Sequence, residues 1–350
     1  MAPAATHGTV DGSANARLRF ALLNDWQRDW PLVDRPYAAI AATSGGTEQQ
    51  VIATYRELLA EGAISRIGGI WGAGAGGAAL LCAFAVPEER LEAVAALVSA
   101  HPGVNHNYER EHHFNLWFVV TGRDSVAVAM AVDALELQTG CRALRLRMRR
   151  AYRIDLGFDL KRELAARGPV ARREVEPVQA ADAPLAALLE DGLPLTERPF
   201  EAWAQRLGDQ PGSDARQLRE TLQRWLQQGT LRRLGVIVRH HEAGFGHNAM
   251  TVFDVPDALV DHCGDLLAVQ PGVTLAYQRE RAEDWPYNLY CMVHGRDRGA
   301  VHAAIAAAIQ GSGLATHPQA VLFSRRRFKQ AGARYFRPPL PADCRMQEAT

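Results

Sequence analysis

No stretch of this chain is apolar for long enough to cross a bilayer. The longest, such as AALLCAFAV around Leu81, fall well short of the ~20 residues a spanning helix needs. The N-terminal MAPAATHGTVDGSANA has no apolar signal core, so the protein is expected in the cytoplasm. Excess charge is also missing. Lys and Arg total 39 and Asp and Glu total 39, which excludes a global field for nucleic acid or anionic membranes. Cysteine is scarce: the five, at 82, 141, 263, 291 and 344, show no CxxC, CxxCH or zinc spacing. Disulfide framework, structural zinc and covalent heme attachment therefore drop out, and no metal site of the protein's own is expected.

What the chain does have is length for two cores, 350 residues, and an internal repeat. PLVDRPY at Pro31 returns as PLTERPF at Pro194, and ISRIGGI at Ile64 as LRRLGVI at Leu231. The repeat unit is about 165 residues. Apolar residues spaced by three and four, Ala38, Ile40, Ala41 and then Val51, Ile52, Tyr55, Leu58, predict a helix-turn-helix, with a wing after Gly62. Strand, helix, two strands, helix and strand follow, which is βαββαβ with both helices on one face. The expected class is α+β, a tandem duplication of winged helix-turn-helix plus ferredoxin-like βαββαβ domain. Its divisions are 1–16 disordered N-terminus, 17–77 first winged helix, 78–161 first βαββαβ domain, 162–182 linker, 183–246 second winged helix, 247–336 second βαββαβ domain and 337–350 tail. The two helix-free sheet faces are expected to pack together, and a homodimer is compatible with the fold.

The chemistry concentrates in PGVNHNYEREHHFNLWFVVTGRD, from Pro102 to Asp124. Period-two alternation puts Val104, His106, Tyr108, Arg110 and His112 on one face and Asn105, Asn107, Glu109 and Glu111 on the other. Neither is an ordinary core face. An edge strand protected by its charges would look similar, but PGVTLAYQRERAEDWPYNLYCMVHGRD, from Pro271, repeats the pattern. There Tyr277, Arg279 and Arg281 answer Tyr108, Arg110 and His112, Leu275 replaces His106, and an insertion falls around Ala282 to Trp285. The second half alone carries VIVRHHEAGFGHNAM, with Arg239, His240 and His241 close together; a surface histidine pair is the plain alternative. On the first recognition helix, Arg56 stands alone against Glu48, Glu57 and Glu61, a balance that repels phosphate.

Winged helix-turn-helix followed by βαββαβ resembles the leucine-responsive, asparagine-responsive regulators. The longer strings HNYEREHHFNLWFVV, RHHEAGFGHNAM and WPYNLYCMVHGRD resemble the siroheme decarboxylases, which share that fold, and the tandem order resembles their fused two-subunit form. The resemblance implies a carboxy-lyase of heme d1 synthesis and denitrification that removes the C12 and C18 acetate carboxylates of siroheme. It implies siroheme as substrate and partner and no added cofactor; the zero net charge and the acidic first recognition helix lead to the expectation of no specific DNA. In that chemistry His106, His112, His240 and His241 would deliver protons to the carbanion left by carbon dioxide, or one of them would ligate the siroheme iron. Arg110, Arg239, Arg279 and Arg281 would hold carboxylates, and Tyr108, Tyr277, Phe114, Trp117 and Trp285 would supply apolar walls. His112→Ala is expected to keep binding and lose turnover, and Arg110→Ala to lose binding first. A regulator of transcription and a non-catalytic tetrapyrrole sensor remain the alternatives.

Overall fold

The computed structural model describes residues 11–154, 175–208, 212, 214–239 and 246–336. Its first half runs α1 (Asp11–Asn24), α2 (Pro36–Ser44), α3 (Glu48–Ala60), β1 (Ile64–Trp71), β2 (Ala78–Phe84), α4 (Leu91–Ala100), β3 (Val104–Arg110), β4 (Leu116–Gly122), α5 (Ser125–Thr139) and β5 (Leu144–Ile154). The second repeats the order as α6 (Ala183–Asp191), α7 (Pro199–Leu207), α8 (Ala215–Gln228), β6 (Leu231–Val238), β7 (His247–Phe253), α9 (Val260–Ala268), β8 (Val273–Arg279), β9 (Leu289–Gly295), α10 (Arg298–Gly311) and β10 (Gln319–Gln330). No helix among the described residues is long and apolar enough to cross a membrane.

The recognition helices form where the sequence supplies both caps and a stripe. Thr47 and Gln50 close a capping box at the start of α3, whose Val51, Ile52, Tyr55 and Leu58 turn inward. Asp214 caps α8 through the amides of Arg216 and Gln217, and Leu218, Leu222 and Trp225 form its buried side. Both winged helices bury these residues in one shared core. The two wings are not separate hairpins: β1 and β6 pair antiparallel across the halves, with Gly68 opposite Gly235. A side chain at Gly235 would sit 2.4 Å from the carbonyl oxygen of Trp26, so glycine is required there. The exposed side of α3 is partly used by the second half, since Arg56 donates to the Leu195 carbonyl.

The eight remaining strands form one closed barrel in the order β10, β3, β4, β2, β5, β8, β9, β7. Closure depends on β5 and β10, each long enough to serve two sheets. Strand β5 pairs with β2 through Leu144 to Arg147 and then with β8 through Met148 to Ile154. Strand β10 pairs with β7 and then with β3. The helix-free faces thus meet inside the barrel around Trp117, Leu146, Met250, Trp285, Tyr290 and Leu322, while each helix pair covers its own outer core.

Two expectations change. Helix α1 begins at Asp11, ahead of Arg17. The end of the expected linker is packed: Val178 donates its amide to Ala75, and Thr230 bonds the carbonyl of Glu176. The basic stretch after Arg145 is the crossing strand β5, whose backbone pairs with β8.

Candidate active site

The face expected for β3 is interrupted by a bulge between Val104 and His106. Val104 lies opposite Val120 and joins the core under α4 and α5, whereas His106 opposes Val119 and Tyr108 opposes Trp117, on the barrel interior. One extra residue, Asn105, reverses the alternation. Asn107 and Glu109 face outward as expected. Asn107 donates to Ala95 and Ser99 of α4, and Glu109 accepts from Arg326 at 2.5 Å.

Arg110 and Arg279 make matching connections in the two halves. The Arg110 guanidinium donates to the Leu322 carbonyl at 3.1 Å and lies 5.6 Å from the ring centre of Tyr108. That of Arg279 donates to the Leu146 carbonyl at 3.0 Å and lies 5.2 Å from the ring centre of Tyr277. Each arginine therefore crosses into the other half. Neither meets a carboxylate among the described residues, and the Nε of each is buried without an acceptor. Burial lowers the proton affinity of both, that of Arg110 to about 10. A buried cation held only by dipoles is costly unless an anion arrives. Arg110 also approaches Asn248 Oδ1 at 3.5 Å, and the Nδ2 of that side chain is buried with no acceptor.

The histidines differ in what their rings can do. His106, half-buried beside Tyr108, has its pKa pushed down to about 4 by burial and then by Arg110. His112 does not extend the β3 face, because the strand ends at Arg110 and the side chain stands exposed on the following bend, against Phe114 and Trp285. Its Nδ1 accepts the amide hydrogen of Phe114 at 3.0 Å, which places the ring hydrogen of the neutral form on Nε2. That tautomer donates a hydrogen bond; it has no lone pair on Nε2 for iron, and protonation would break the Phe114 bond. Burial and His113 lower its pKa accordingly. The acid role expected of His112 therefore has a geometric obstacle. His240 and His241 lie outside the described residues.

The remaining expected residues separate. Arg281 does not point toward an open anion site: its guanidinium is taken by Asp254 at 2.9 Å, Asp257 at 2.6 Å and the carbonyls of Val255 and Pro286. It fastens the inserted loop. In the first half His112 stands in its place, and a cleft of about 340 Å³ is open there, lined by Glu88, Glu109, His112, Asn115 and Arg325 among others. Arg239 sits at the end of β6 against Gly62 and Ala63, by the winged helices. Trp117 and Trp285 are buried walls 5.1 Å apart, and the Trp285 Nε1–H bonds the Tyr290 hydroxyl at 2.6 Å. Sequence reasoning missed His294, which alternates with Tyr290 and Met292 and so faces the barrel interior; it lies opposite Asn248.

Two family models match the chain: an AsnC-like ligand binding domain at residues 75–153 and 242–329, and a siroheme decarboxylase NirDL-like HTH domain at 20–64. The siroheme decarboxylase NirDL subunit of Paracoccus denitrificans is 40% identical over 322 residues, covering 90% of this chain and 96% of that protein. The chain belongs to the siroheme decarboxylase NirDL family. Within it, the NirL subunit of Stutzerimonas stutzeri is 48% identical over 157 residues, 45% of this chain and 89% of that protein. A crystal structure of siroheme decarboxylase NirDL in complex with an iron-uroporphyrin III analogue superposes with a TM-score of 0.64 at 28% identity, covering 92% of this chain and 95% of that one.

Proposed function

We propose that this chain is a siroheme decarboxylase of heme d1 synthesis that removes the C12 and C18 acetate carboxylates and leaves methyl groups. The observation that carries the reading is the pair of arginines with no carboxylate partner among the described residues, Arg110 buried and Arg279 half-buried with its Nε enclosed, each beside a tyrosine ring. A macrocycle bearing many carboxylates supplies the missing charge, and forked guanidinium contacts hold it in one orientation. The carboxylates held this way are the ones retained, since clamping the scissile one would stabilise the ground state. The apolar surface of Trp117 and Trp285 suits the carboxylate that is lost, because removing water from it favours the uncharged product.

Loss of carbon dioxide breaks the bond between the carboxyl and methylene carbons and leaves the electron pair on the methylene, conjugated with the ring. A proton completes the methyl group. An imidazole is suited to deliver it near neutral pH. His106 is neutral in the empty protein, and carboxylates beside it would raise its proton affinity. A regulator reading is not favoured: α3 carries Glu48 and Glu57, Glu61 follows at its C-terminal cap, and its one cation, Arg56, already binds Leu195. Anaerobic incubation with siroheme followed by mass analysis tests the proposal. Loss of two carbon dioxide units is expected, and recovery of intact siroheme from folded protein would refute it.

A further inference from the structure

The interior end of β9 carries a histidine whose ring is anchored at one nitrogen. His294 is 8% exposed. Its Nδ1 lies 3.0 Å from the Thr274 hydroxyl, and that hydroxyl donates its single hydrogen to the Met292 carbonyl at 3.1 Å. With its hydrogen on Met292 the threonine accepts from the Nδ1–H tautomer of His294, in which Nε2 is the nitrogen that exchanges a proton. This is the reverse of His112. Thr274 is the extra residue of a bulge between Val273 and Leu275, which is what turns its side chain toward the ring. Across the strand pair stands Asn248, whose Oδ1 takes the Ser324 hydroxyl at 2.7 Å and faces Arg110.

The duplication shows that this arrangement is one-sided. In the first half the position of His294 is Thr121, that of Asn248 is Ala79 and that of Met292 is Val119, while in the second half the position of His106 is Leu275. Both ends of the barrel keep an arginine and a tyrosine; His294 and Asn248 stand at the Arg110 end alone.

Resting on the reading of the chain as a siroheme decarboxylase, we propose that His294 is the catalytic proton carrier of a single reaction centre at the Arg110 end, with Thr274 as its positioning residue. When the carboxyl carbon leaves as carbon dioxide, the proton on Nε2 passes to the methylene carbon; neutral His294 then regains a proton from water for the second acetate. The Arg279 end binds carboxylates without turning over.

The test uses the full chain. His294→Ala is expected to bind iron uroporphyrin III within about threefold of wild type yet lose about 100-fold or more in kcat on siroheme, and added imidazole should restore part of the turnover. Thr274→Val should lower kcat with KM little changed. Turnover retained within about threefold in His294→Ala would overturn the proposal, and so would loss of binding together with turnover that imidazole does not restore. Should the alanine variant not fold, His294→Asn decides by the same measurements. Wild type that releases no carbon dioxide from siroheme would instead sink the functional reading beneath it.

Discussion

Acidification should cost this protein stability at one position in particular, His106. Its pKa falls from 6.5 to about 4 in the folded protein, through burial and the nearby Arg110 guanidinium. Between those two values the unfolded chain binds a proton at this ring that the folded chain refuses, so stability falls as pH falls. At about 1.4 kcal/mol per tenfold change in proton affinity, the loss accumulates to about 3 kcal/mol by pH 4. The ring keeps some solvent contact, which makes that an upper figure. Urea unfolding of wild type and His106→Gln, run in parallel from pH 7 to pH 4, isolates the contribution because other titrating groups cancel. Wild type should lose up to about 3 kcal/mol more than the variant over that range. Saturating iron uroporphyrin III should shrink the difference, since its carboxylates favour the protonated ring. Parallel stability curves for the two proteins would refute the account of His106 as a half-buried, cation-facing imidazole.

Replacing Arg110 with methionine, which keeps the bulk and removes the charge, should weaken iron uroporphyrin III binding by at least about tenfold in a Soret titration while leaving the fold intact, because a buried unpaired charge contributes little to stability. His112→Ala should raise KM for siroheme more than it lowers kcat, contrary to what its place in the sequence suggests, because its tautomer donates a hydrogen bond rather than a proton; steady-state kinetics showing loss in kcat alone would reject this. Trp285→Ala should destabilise by about 3–5 kcal/mol, measured by urea unfolding, since it empties a fully buried site against Trp117, Phe114 and Tyr287 and removes the bond to Tyr290.

The duplication and the class of each half could be read from the sequence because repeats and apolar periods are local. Tyr108 with Tyr277 and Arg110 with Arg279 were matched by spacing, and they are matched in space. What failed depended on distant partners. The bulge at Asn105 has no signature in VNHNYER, yet it moves Val104 to the opposite side from His106. Arg281 looked like a free cation because Asp254 and Asp257 precede it by a whole helix and strand. The pairing of the wings and the crossing of β5 and β10 are choices between halves, which no pattern within one half records. His294 did leave a signal. In LYCMVHG it falls on the same alternate positions as Tyr290 and Met292, and a strict period-two reading carried to the strand end would have put it inside.

The exchange of β5 and β10 makes the covalent link between the halves dispensable for recognition. Each half lacks a sheet edge that only the other can provide, and each arginine completes its contacts on a carbonyl of the opposite repeat. Two separate polypeptides, cut between β5 and α6, would therefore find one another by strand pairing along the same two seams. A pairing of two copies of either half would close the same barrel but set Arg110 against Ala79 and Thr121, or Arg279 against Asn248 and His294, so only the unlike pair brings Arg110 to Asn248 and the strand of His294.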